Sequence, residues 1–200
     1  VDTRRAEMVY ITRAGVRLNE AGPELAYDAK SLTAQCESSL KRLATDRIDV
    51  WLLHEPREAD LRSAEVRDCI EALRKAGKFR AWGVATSKID VARAAMESDA
   101  QVLCLPFHLH KPELVRDLAT DAAARGIGVI ARSVLLHGLL AGRWNKNKRF
   151  VPDDHRSQRW QTEALAERVQ QTTDLRFLVH GDVLSLASAA QRFVLAHEAV

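Results

Sequence analysis

Cysteine is scarce in this chain of 200 residues: Cys36, Cys69 and Cys104 are the three present. They stand far apart with no CxxC spacing, which argues against a disulfide framework or a structural zinc site and fits a reducing cytosol. Long apolar runs are lacking too. No stretch approaches the roughly eighteen apolar residues of a membrane span, and no basic-then-apolar leader opens the sequence. The expectation is a soluble, cytoplasmic protein with no membrane partner. Nor is there an excess of one sign of charge: charged residues make up 28% of the chain, yet the formal net charge is only +3. Bases and acids interleave, as in Arg62-Ser63-Ala64-Glu65-Val66-Arg67-Asp68, so no nucleic-acid partner is expected. The most basic stretch, Arg143-Trp144-Asn145-Lys146-Asn147-Lys148-Arg149, reads as a solvated loop, with an anion- or phosphate-facing loop as the sharper alternative.

What is present is a core-forming pattern. Hydrophobic residues, 46% of the chain, are ample for a sizeable core in one domain, and no linker or low-complexity segment divides it. Short apolar runs suggest strands at Val9–Thr12, Val50–Leu53, Ala81–Ala85, Val102–Leu105 and Val129–Ala131. Helical spacing separates them: Ser31–Ala44 with Leu32, Cys36, Leu40 and Leu43, Ala64–Ala76 with Ile70 and Leu73 inward, Val91–Glu97, and Pro112–Arg125. Gly77 and Gly126 supply helix stops. After a long polar stretch, Asn145 to Arg159, helices are expected around Glu163–Leu178 and Leu184–His197. Strands that each lead into a helix argue for an α/β protein with a parallel sheet and crossover helices. A doubly wound sheet and part of a barrel both satisfy that rhythm. The first strand's exit, Thr12-Arg13-Ala14-Gly15-Val16-Arg17, carries neither a GxGxxG nor a P-loop to mark the former. Pattern alone leaves the two open.

The motifs point further. Ser39-Leu40-Lys41-Arg42-Leu43-Ala44-Thr45-Asp46-Arg47-Ile48-Asp49 runs into Val50-Trp51-Leu52-Leu53-His54-Glu55-Pro56. This resembles the aldo-keto reductase signature, a helix exit S-L-x-R-L-x-T-D-x-I-D feeding a strand that ends L-L-H-x-P. Three other stretches are similar to that family in order and spacing: Gly77-Lys78-Phe79-Arg80-Ala81-Trp82-Gly83-Val84, then Gly126 through Gly142, then Ala189-Ala190-Gln191-Arg192-Phe193-Val194-Leu195. The resemblance covers nearly the whole chain. It implies a TIM-type (β/α)8 barrel, incomplete here at about five βα units, with residues 1–200 forming a single domain truncated at both ends. A first residue that is Val1 and not methionine suggests, in the same direction, that something upstream was removed or not included.

In the family so resembled, a tyrosine gives a proton to a substrate carbonyl while reduced nicotinamide delivers hydride. A lysine and an aspartate tune the tyrosine, and a strand-end histidine orients the carbonyl. An ammonium beside a phenol lowers its pKa, and an oriented donor stabilises the developing alkoxide. His54 matches the histidine, at the strand end where such barrels place their chemistry. Arg13 stands where the lysine belongs, with a planar fork in place of a compact ammonium, so it could equally bind a carboxylate or phosphate. The tyrosine and aspartate belong upstream of the first strand. Tyr10 points away from the Arg13 face by strand alternation, and Tyr27 is expected in a loop as surface packing. On the cofactor side, Ala85-Thr86 replaces a serine-asparagine pair that holds the nicotinamide carboxamide, leaving Thr86. Cys104 replaces a glutamine and bonds weakly. Arg132 takes the place of a stacking aromatic, and Ser133, Leu135 and His137 match positions that line the pyrophosphate. His108-Leu109-His110 offers two imidazoles on one face, but with no third ligand no metal is expected. Phe150 through Trp160 resembles a long loop over the site, or is a plain connector.

The resemblance therefore implies an NADP(H)-dependent oxidoreductase that reduces a small aldehyde or ketone. The alternative is a catalytically inactive binding or scaffolding domain, with Arg13 for lysine and a thinned carboxamide site, in which NADP(H) binding is in doubt. Five parallel strands also leave two open edges. Ile11, Leu53 and Val84 are expected inward residues that would meet water there, each forfeiting on the order of 1.5–3 kcal/mol of burial. A second copy, a fused domain or further chain is expected to cover them.

Overall fold

The computed structural model describes residues 4–20, 22–160 and 162–200. Its contacts divide the chain into two compact units. The first comprises Val1–Leu105, Glu113–Ile130 and Ala199, and the second Pro106–Pro112, Ala131–Glu198 and Val200.

The first unit is built on strands β1 (Ile11–Ala14), β4 (Ile48–His54), β5 (Phe79–Ala85) and β6 (Val102–Pro106). With β7 (Gly128–Arg132) they form a five-stranded sheet in the order β1-β4-β5-β6-β7. Neighbours β1–β4, β4–β5 and β5–β6 run parallel. Spatial order follows chain order without reversal, so every crossover advances in one direction. A doubly wound sheet reverses at a switch point; this sheet does not, and it is the singly wound arrangement of a TIM-type barrel.

The crossovers carry α1 (Ala29–Arg42), α2 (Glu58–Arg62), α3 (Ala64–Lys75), α4 (Ile89–Glu97) and α5 (Glu113–Ala124). Four of them lie where apolar spacing said they should; the short α2 ahead of α3 was not expected. Asp28 caps α1 by accepting the Ser31 backbone N–H at 2.8 Å. Leu32, Cys36 and Leu40 of α1 and Ile70 and Leu73 of α3 are buried, whereas Leu43, expected inward, caps the end of α1 half-exposed. Gly77 ends α3 at φ +69°, the left-handed conformation that glycine adopts without a Cβ penalty.

Three local expectations need correction. The first strand starts two residues later than its apolar run suggested, because Val9 stays in solvent and the parallel ladder begins at Ile11↔Val50. The exit of β1 is a hairpin, β2 (Val16–Asn19) against β3 (Gly22–Leu25), with Leu18 exposed; neither strand has a buried apolar face, so no periodicity betrayed it. Finally, Leu53 and Val84 do not face the sheet's open side. They pair with each other in register and are fully buried, on the face that the helices cover, along with Trp51, Trp82 and Leu103. The open face instead carries Val50, Leu52, Ala85, Val102, Cys104 and Ile130, packed as one cluster. Ile11, in register with Val50, is the one of the three expected inward residues that meets solvent.

The second unit holds a 3-10 turn at Leu136–Ala141 and helices α6 (His155–Arg159), α7 (Thr162–Asp174) and α8 (Leu186–Leu195). Leu140, Leu186, Ala189 and Ala190 make one core cluster, and Leu139, Leu165 and Val169 another. Trp144, Phe150 and Trp160 pack on the latter, so the segment expected as a loop or connector is anchored by its aromatics. The basic stretch from Arg143 to Arg149 is irregular loop, as expected.

Candidate functional site

In the first unit the expected residues lie at one end of the sheet. Arg13 is the penultimate residue of β1, in register with Leu52. His54 is the last residue of β4, in register with Ala85, the last of β5. Thr86 follows immediately, and Cys104 of β6 pairs with Ala85. These are the C-terminal ends of parallel strands, where βα loops build the sites of such folds.

The side chain of Arg13 lies across this end. Its Nη2 reaches the Cys104 Sγ at 3.7 Å, although β4 and β5 intervene between β1 and β6. Neighbouring strands are roughly 4.8 Å apart, so a side chain can bridge that span only because the sheet curves. β5 presents no side chain longer than a methyl group on this face, at Gly83 and Ala85. Among the described residues, the Cys104 thiol is the one hydrogen-bond partner of the Arg13 guanidinium, and a thiol is a weak acceptor. The position that resemblance assigns to the lysine thus holds an exposed cation whose fork remains largely available to an anion.

Thr86 is fully buried and its hydroxyl is committed. Oγ1 donates to Glu55 Oε2 at 3.1 Å and accepts the Lys88 backbone N–H at 3.1 Å. Ser87 adds its backbone N–H and its hydroxyl to the Glu55 carboxylate, both at 3.3 Å. A hydroxyl has one donor hydrogen, and that of Thr86 is used within the protein. Cys104, 3% exposed, offers no better donor. These two residues do not fit the carboxamide-holding role that resemblance gives their positions.

Sequence reasoning missed two residues here. Glu55, the variable position of the H-x-P motif, adopts φ +50° and braces the exits of β4 and β5. Tyr27, expected at the surface, is 7% exposed and donates its hydroxyl to the His54 backbone carbonyl at 2.5 Å. Burial, with the nearby Asp60 and Glu55 carboxylates, raises its phenol pKa against an opposing pull from Arg57, so it remains a proton-bearing donor. The visible signal was weak: a lone tyrosine just before the Asp28 helix cap.

In the second unit, Arg132 ends β7 and its carbonyl accepts the Phe107 N–H at 3.1 Å. The chain then turns through left-handed conformations at Ser133 (φ 59°), Leu136 (φ 45°) and His137 (φ 55°), each costing of order 1 kcal/mol for a residue with a Cβ. Ser133 O accepts the Leu136 N–H at 2.7 Å, and Leu135 O accepts those of Gly138 and Leu140. Leu135 packs on the Leu140 cluster. The His137 ring meets that of His155 edge-on at 5.8 Å. Burial first, then the charges of Arg159, His155, Arg132 and Arg156, lower the His137 pKa. Resemblance sets Ser133, Leu135 and His137 along a pyrophosphate; the His137 imidazole there is held toward its neutral form and brings no positive charge of its own to an anion. His110, of the candidate histidine pair, shares a hydrogen bond of 2.9 Å with Thr172, and His108 is buried; among the described residues no cluster could hold a metal.

Comparison with known proteins bears on the family and the fold. The profile of the Aldo/keto reductase family matches residues 3–200. The aldo-keto reductase YhdN of Bacillus subtilis is 30% identical over 129 residues, which cover 63% of this chain and 38% of that protein. A D-threo-aldose 1-dehydrogenase from a Pseudomonas species is 28% identical over 123 residues, 59% of this chain and 37% of that protein. The holo structure of aldo-keto reductase AKR11C1 from Bacillus halodurans superposes with a TM-score of 0.79 at 21% identity, over 99% of this chain and 62% of that one. The aligned segments thus span under two fifths of the curated relatives, and the fold matched is an incomplete barrel.

Proposed function

We propose that this chain, which belongs to the aldo/keto reductase family, takes part in NADP(H)-dependent reduction of an aldehyde or ketone, with His54 orienting the carbonyl oxygen. The observation that carries this is the shared position of His54 and Arg13 at the C-terminal ends of adjacent parallel strands. There an imidazole N–H and a guanidinium can both turn toward an oxygen on which negative charge develops, and a fixed donor costs no reorganisation as the charge appears. The cofactor would supply the hydride. Thr86 and Cys104 do not suit its nicotinamide, so these residues define no path for the hydride.

The test is NADPH consumption with small aldehydes. His54→Ala is expected to lower turnover about 100-fold, the scale of losing one oriented donor. Turnover that survives the substitution would remove His54 from the chemistry.

The commitment of the Thr86 hydroxyl to Glu55 favours a second reading, a binding domain that has kept the barrel and lost the reaction. NADPH that quenches tryptophan fluorescence without being consumed supports this second reading, and consumption dismisses it.

A further inference from the structure

The peptide group that follows His54 is held at both ends. Its carbonyl, His54 O, accepts the Tyr27 hydroxyl at 2.5 Å, and its N–H, that of Glu55, donates to Ala85 O at 2.8 Å. A planar peptide with both polar ends bonded cannot rotate. The ψ angle of His54 is thereby set, and with it the direction in which its side chain leaves the strand. The rest of the turn is equally bound: the Glu55 carboxylate is held by Thr86 and Ser87, and the Asp60 carboxylate accepts both the backbone N–H and the guanidinium of Arg57 at the start of α2.

The other end of Tyr27 reaches β1. Gly15, two residues beyond Arg13, sits at φ +103°, and a Cβ there would overlap the Tyr27 ring. The connection carrying Tyr27 is stitched to the same point, with Ala26 N–H on Gly15 O at 2.9 Å and Gly15 N–H on Gln35 Oε1 at 2.9 Å. One aromatic ring thus rests on the strand exit that follows Arg13 while its hydroxyl holds the strand end that carries His54.

We infer that Tyr27 is a positioning residue that sets His54 relative to Arg13, through its hydroxyl on the His54 carbonyl and its ring on Gly15. It touches no reacting atom. The inference rests on reading His54 as the carbonyl-orienting group, and its test separates the two claims by reading the imidazole directly.

Histidine ring signals of the 200-residue chain are recorded by proton–carbon NMR, with His54 assigned by its absence in His54→Ala. Tyr27→Phe keeps the ring and removes the hydroxyl; it is expected to move the His54 signals and leave those of His180 in place. Tyr10→Phe, which alters the chain's other tyrosine, is expected to leave His54 unmoved. Replacing both tyrosines by 3-fluorotyrosine keeps both hydroxyls but makes them stronger donors, and should move His54 even if Tyr27→Phe fails to fold. Where the chain reduces aldehydes, Tyr27→Phe should cut kcat by up to roughly 100-fold, as a misplacement near 1 Å does, with KM little changed. A His54 signal that moves in a chain without turnover upholds the positioning role and counts against the reductase reading. His54 signals unmoved by both tyrosine changes overturn the inference.

Discussion

Gly83→Ala is expected to remove a large share of the stability of the first unit. A Cβ at Gly83 would overlap the backbone carbonyl of Val102, its partner in the β5–β6 ladder. Backbone cannot swing aside as a long side chain can; relief requires β5 and β6 to part, which breaks the ladder and disturbs the packing of Leu52, Ala85 and Cys104 beside it. Overpacked cores usually lose 1–3 kcal/mol where side chains can shift. With backbone as the obstacle, a loss on the order of 4 kcal/mol or more is expected, in the range reserved for specific steric failures. Domains of this kind hold only about 5–15 kcal/mol in all. Urea titration followed by tryptophan fluorescence reads the loss, and a midpoint close to that of the parent chain would show that the strands can separate cheaply.

Asp49 carries the second large effect. Its carboxylate is nearly buried at the entry of β4, where it accepts the Tyr10 N–H at 2.9 Å, Arg5 at 2.9 Å and Arg80 at 3.3 Å. Asp49→Ala leaves the Tyr10 N–H and the largely sheltered Arg5 side chain without this partner. Breaking a buried pair costs roughly 3–5 kcal/mol, and about 3 is expected here because the Arg80 side chain, 64% exposed, can turn to water. Burial alone would raise the Asp49 pKa, but the Tyr10 N–H and the two guanidiniums outweigh it and hold the carboxyl below its ordinary value. The charge therefore stabilises the fold fully above the unfolded value of about 3.9, and that share is lost as pH falls through the lower folded value. Asp49→Asn should accordingly flatten the acid side of the stability profile below about pH 4. An acid limb as steep as the parent's would show that other carboxylates govern it.

The sequence by itself determined the order of the five sheet strands and of the longer helices between them, because local apolar spacing and helix stops act over a few residues. It also determined the family and the place of His54, since the run from Ser39 to Pro56 carries both the helix exit and the strand that ends in the histidine. It could not tell which face of β4 and β5 meets the helices. Leu52 and Leu53 are both apolar, and so are Val84 and Ala85, so alternation left no mark until pairing and curvature were known. The hairpin after β1 went unseen because it buries no apolar face of its own. The contacts that shape the candidate site were beyond sequence reading for the same reason: Tyr27 meets His54 across 27 positions and Thr86 meets Glu55 across 31, while Arg13 reaches Cys104 across 91. Each joins residues that only strand pairing and packing bring together, and none of their side chains says in advance which partner it will take. The tertiary structure alone decided that Tyr27 is buried beneath His54, that the Thr86 hydroxyl is already spent on Glu55, and that Arg13 lies across the open face toward a thiol and not toward a carboxylate.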